Sequence, residues 1–128
     1  MRVLLDSHAL LWAMDAPDKL GGQAASALRD LDNKLLLSAA TLWELAIKVG
    51  SGKLALGLPY WQWMEKAIAD LDLELVPVTV AYAECQAVLP THHRDPFDRL
   101  LIAQALVDDL PVVCADSAFD AYGVKRIW

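Results

Sequence analysis

Short runs of apolar residues alternate with longer stretches whose apolar positions recur every three to four residues. Val3-Leu4-Leu5, Leu35-Leu36-Leu37 and Val112-Val113-Cys114 are continuous apolar runs, the pattern of strands covered on both faces. The predicted strands are Val3 to Leu5, Leu35 to Leu37, Leu75 to Val78, Val112 to Ala115 and a last one within Val124 to Trp128. Between them the spacing predicts helices over Ser7 to Met14, Leu20 to Leu31, Thr41 to Val49, Pro59 to Leu71, Val80 to Leu89 and Phe97 to Leu110. Gly50-Ser51-Gly52 ends the third helix, and Pro59 suits the first turn of the fourth. Strand–helix alternation of this kind predicts an α/β domain with a largely parallel central sheet. There is no internal repeat, low-complexity tract or Gly/Ser linker, so one domain over residues 1–128 is expected.

Composition sharpens this picture. Hydrophobic residues make up 56% of the chain, enough for a core and too many for a disordered protein. No apolar stretch approaches the ~18 residues of a membrane span. The N-terminal Arg followed by apolar residues begins like a leader peptide, but Asp6 and His8 interrupt it early. Cys85 and Cys114 are too few for a disulfide framework and sit in apolar stretches, so they are read as buried free thiols of a cytoplasmic protein. A net charge of −6 argues against general, charge-driven nucleic-acid binding. It leaves open a local basic rim, or acidic groups held for a metal.

In parallel sheets, ligands bind beyond the carboxyl ends of the strands. Asp6 directly follows the first strand, and Asp116 the fourth. Glu44 lies in the helix after the second strand, and Asp98 in the first turn of the helix opened by Asp95-Pro96-Phe97. Each has a structural explanation. Asp6 and Asp95 suit N-caps, Thr41 to Glu44 fits a capping box, and Asp116-Ser117 suits a turn. Caps, however, do not predict that four acids converge. Two carboxylates ~5 Å apart repel by roughly 3 kcal/mol at an effective dielectric near 20. A converging set therefore needs a cation, or some members take up protons. Carboxylate-only ligation suits Mg²⁺ or Mn²⁺, which polarise phosphodiesters and acidify bound water.

At these residues the sequence resembles the PIN-domain family, and within it the VapC-type toxins of toxin–antitoxin pairs. The stretches that carry the resemblance are LLDSHALLW, SAATLWELAIKVGSGKL, HRDPFDRLLIAQA and ADSAFDAYGVKRIW, in order along the whole chain. The resemblance implies a three-layer α/β/α sandwich and a metal-dependent endoribonuclease. Asp6, Glu44 and Asp98 match the three core acids of the family, and Asp116 the fourth, more variable one. Ser7 stands where most members have Thr and keeps the hydroxyl. The family pattern further implies a homodimer, inhibition by a small antitoxin protein, and products ending in 5′-phosphate and 3′-hydroxyl. Arg94, Arg99, Lys48 and Lys53 are the candidates for holding the RNA backbone.

Other features carry less. Gly52-Lys53 lacks the Gly and Ser/Thr that a phosphate loop needs, since Ile47 and Leu54 occupy those positions. His92-His93 has no further Cys or His pair at zinc spacing, so His93 is read as orienting a carboxylate or touching RNA. Trp12, Trp43 and Trp61 fall in apolar helical patterns and are expected in the core or a partner interface. The stretch from Pro59 to Met64 suits an antitoxin- or dimer-contact helix. Two other classes remain: a non-catalytic binding module whose acids are only caps, and a dehalogenase-like phosphatase. The latter is disfavoured, because His8 stands where its second Asp belongs.

Overall fold

The computed structural model describes all residues, 1–128. Five strands form one parallel sheet: β1 (Arg2–Leu5), β2 (Lys34–Ser38), β3 (Glu74–Val76), β4 (Val112–Val113) and β5 (Arg126–Ile127). Their spatial order is β3-β2-β1-β4-β5. The six α-helices are α1 (Ser7–Asp15), α2 (Gly22–Arg29), α3 (Ala39–Gly50), α4 (Tyr60–Asp70), α5 (Val80–Val88) and α6 (Pro96–Asp108). None is long and apolar enough to cross a membrane.

The period of two in β1 and β2 divides the core. Val3, Leu5, Leu35 and Leu37 face one side and pack with Ala9 and Leu10 of α1, Ala24 and Ala27 of α2, and Trp63, Met64 and Ala67 of α4. Leu4, Leu36, Val112 and Cys114 face the other and pack with Tyr82 of α5 and Leu101, Ile102 and Ala105 of α6. Helices on both faces of a parallel sheet make the three-layer α/β/α sandwich that the resemblance implies. Full burial of each of these leucines is worth about 1.5–3 kcal/mol, so both faces must be covered at once.

Several element ends differ from the sequence pattern, each for a local reason. The Ser38 hydroxyl accepts the Ala40 N–H, so α3 begins two residues earlier than expected. Glu44 is then too deep in the helix to close a capping box, and its side chain bonds Lys48 instead. A single 3₁₀ turn at Pro17–Lys19 precedes α2, which ends at Arg29 and leaves Leu31 99% exposed. β3 stops at Val76, before Pro77, which has no N–H to continue the ladder. α6 ends with Asp109 in the left-handed conformation at φ 52°, short of Leu110. Trp43 and Trp61 are 64% and 60% exposed, which excludes them from the core. Cys114 is buried, whereas Cys85 is only half-buried; both are free.

Candidate metal centre at the sheet switch point

From β1 the strand order runs to β2 on one side and to β4 on the other. Such a switch opens a crevice at the carboxyl ends of the strands. Asp6 leaves β1 there, and its backbone N–H still donates to Val113 O across the gap at 3.2 Å. Its side chain caps α1, accepting the Ala9 N–H at 2.7 Å. Asp116 follows β4 and caps the 3₁₀ turn over Ser117–Tyr122 through the Ala118 N–H at 2.9 Å. Asp95 caps α6, accepting the N–H groups of Phe97 and Asp98 at 2.8 and 3.2 Å.

A cleft of about 390 Å³ lies over this edge, lined by Asp6, Glu44, Asp95, Asp98 and Asp116 together with Lys48. The four acids singled out from the sequence thus meet, and the capping role of three segments coexists with that meeting. Lys48 is the one basic residue of the sequence set that joins them. It follows Glu44 by four positions on α3, hence on the same face. Its Nζ lies 2.9 Å from Glu44 Oε2, and this bond holds the ammonium above its ordinary pKa. Arg94 and Lys53 are exposed and do not line the cleft.

Arg99, expected from the sequence to hold the RNA backbone, does not line the cleft. Its guanidinium donates to the carbonyls of Gln86, Leu89, Pro90 and His93 and to the Tyr122 hydroxyl, at 2.9–3.4 Å. It ties the end of α5 to the loop before α6, with both terminal nitrogens engaged there. Neighbouring residues on a helix diverge by about 100°, so a side chain next to Asp98 faces elsewhere.

The electrostatics fit a cation. Asp98 is pushed up to about 7, first by burial and then by the charges of Asp95, Glu44 and Asp6, against the opposing effect of His93. Asp6, 5% exposed, is also raised, mainly by burial, although the Ala9 N–H and the Cys114 thiol pull it down. Burial pushes the Cys114 thiol up as well, leaving it an inert packing group. Glu44 is 3% exposed, and its Oε1 is buried without any hydrogen-bond partner. A bare, buried carboxylate oxygen carries its full desolvation cost unless something positive meets it. The donors here are carboxylates of hard oxygen, so Mg²⁺ or Mn²⁺ fits them.

The sequence reading gave His93 to a neighbouring carboxylate or to RNA. His93 reaches the acids from the loop before α6, with Nε2 3.1 Å from both Asp98 Oδ2 and Asp116 Oδ2. His8 and Trp12, one turn apart on α1, form an aromatic rim with ring centroids 5.6 Å apart. Only their i, i+4 spacing pointed to a shared face.

No curated protein matches the sequence. Among solved structures, VapBC2 from Rickettsia felis, bound to a promoter DNA fragment, is similar at TM-score 0.72 and 17% identity, covering 100% of both chains. FitAcB from Neisseria gonorrhoeae is similar at TM-score 0.67 and 19% identity, covering 97% of this chain and 95% of that one. VapBC-1 from nontypeable Haemophilus influenzae is similar at TM-score 0.67 and 15% identity, covering 98% and 96%. These neighbours share the fold. The PIN domain model matches residues 3–125, from β1 to the turn before β5, so the chain belongs to the PIN domain family.

Proposed function

We propose that this chain is the toxin of a toxin–antitoxin pair and acts as a divalent-cation-dependent endoribonuclease. The observation that carries the proposal is the convergence of four acids, from four separate segments, on one cleft of a PIN domain. Asp6, Glu44 and Asp98 hold Mg²⁺ or Mn²⁺, and Asp116 completes the set. When bound, such a cation polarises a phosphodiester and makes water nucleophilic near neutral pH. The chain's own groups do the rest. The Ala9 N–H fixes one oxygen of Asp6, and Lys48 fixes Glu44 Oε2. Lys48 also brings a positive charge to a cleft that a phosphate must enter. His8 and Trp12 offer aromatic faces at the rim to an unpaired base. Arg94 and Lys53, both exposed, contact the RNA backbone further out. The partner is a small antitoxin, as in the toxin–antitoxin complexes of similar fold, and the chain pairs with a second copy. Exposed Trp43 and Trp61 offer apolar surface for such contacts. Free thiols fit a cytoplasmic setting.

Cleavage of a labelled RNA pool tests the activity. With Mn²⁺ the parent is expected to cut, a chelator to stop it, and Asp98→Asn to slow it at least about 100-fold while remaining cooperatively folded. If the parent cuts equally well with chelator, or Asp98→Asn cuts like the parent, the acids are only caps, each worth about 1 kcal/mol.

A further inference from the structure

His93 lies within hydrogen-bond reach of the carboxylates of two of the four acids. Its Nδ1 accepts the Asp95 N–H at 3.1 Å, which leaves the lone pair on Nδ1 and the imidazole proton on Nε2. That proton lies between Asp98 Oδ2 and Asp116 Oδ2, each 3.1 Å from Nε2. The two carboxylates come from different elements, α6 and the turn after β4, and nothing else joins them. Asp116 spends its other oxygen on the Ala118 N–H, whereas the other oxygen of Asp98 accepts no hydrogen bond.

The ring itself is held from outside the cleft. The His93 N–H donates to the Tyr122 hydroxyl at 2.8 Å, and its carbonyl accepts from Arg99 at 3.3 Å. Phe119, fully buried, meets the ring edge-on with centroids 6.1 Å apart. The imidazole is therefore set in place before any ligand arrives.

We propose that His93 is a positioning residue: its Nε2–H locks Asp98 to Asp116 and turns the free oxygen of Asp98 toward the cation shared with Asp6 and Glu44. This rests on the reading of the acids as cation ligands. Groups that orient metal-ligating carboxylates typically contribute ~10–100-fold in affinity.

Two variants separate the two ring nitrogens. His93→Asn keeps an acceptor near Nδ1 for the Asp95 N–H but cannot reach the carboxylates. His93→Gln puts an amide N–H near the place of Nε2. Calorimetric titration with Mn²⁺ is expected to show His93→Asn ~10–100-fold weaker than the parent, and His93→Gln within about threefold of it. His93→Asn binding like the parent, or His93→Gln as weak as His93→Asn, overturns the proposal while leaving the cation site standing. A parent that binds no Mn²⁺ overturns the cation reading and this one with it. Independently of metal and of any variant, ¹⁵N spectra of the chelator-treated parent should show the Nε2–H tautomer at His93. An Nδ1–H tautomer contradicts the proposal.

Discussion

Asp98 carries a conflict between charge and burial that has a measurable consequence. An unfolded Asp titrates near 3.9, and burial among Asp95, Glu44 and Asp6 holds this one at about 7. Between about pH 4 and 7 the folded chain keeps a proton that the unfolded chain has released. Stability therefore falls as pH rises through that window, and the contribution is fully present only below the unfolded value. The raised Asp6 adds in the same direction. In chelator, the melting temperature is expected to drop between pH 5 and pH 8, with a shallower slope for Asp98→Asn. Adding Mn²⁺ at pH 8 should restore it, because the cation replaces the missing proton. A melting temperature that rises over this range in chelator contradicts the account. The residue types of the site were legible because each acid sits in a recognisable segment, such as Asp95-Pro96-Phe97-Asp98. His93 was harder, because its place beside Asp116 depends on a contact across 23 positions of sequence.

At the scale of elements, helix geometry decides which charged neighbours of an acid share its cleft. Lys48 stands four residues after Glu44 and reaches it; Arg99 stands one residue after Asp98 and does not. Sequence proximity alone suggested both. Arg99 is instead the tie that closes the loop between α5 and α6, serving five acceptors. Arg99→Met removes those donors and keeps much of the alkyl stem. It is expected to lower stability by about 1–3 kcal/mol in urea denaturation, the cost of part-buried carbonyls left unpaired. A change below about 0.3 kcal/mol would return Arg99 to the solvent-facing cations. The ends of helices were less legible than their middles for a related reason. Ser38 and Thr41 both suit a cap, and only strand β2, running on through Ser38, makes Ser38 the one that serves.

For the whole molecule, the apolar runs revealed a doubly covered parallel sheet, because only burial on both faces demands continuous apolar residues. They did not reveal strand order, which depends on how crossovers pack. That order matters most for the site, since the switch beside β1 is what brings Asp6 and Asp116 together. Nor did helical periodicity tell core from contact surface: Trp63 is buried, while Trp61, two residues away, faces out. A chain of net charge −6 with this acidic cleft has little attraction for RNA unless a cation changes the local sign. The most direct measurement is anomalous diffraction from crystals grown with Mn²⁺. The account predicts a peak in the cleft, about 2.1 Å from carboxylate oxygens of Asp6, Glu44 and Asp98. A fully loaded crystal with no peak in that cleft, or with its manganese bound only elsewhere, contradicts it.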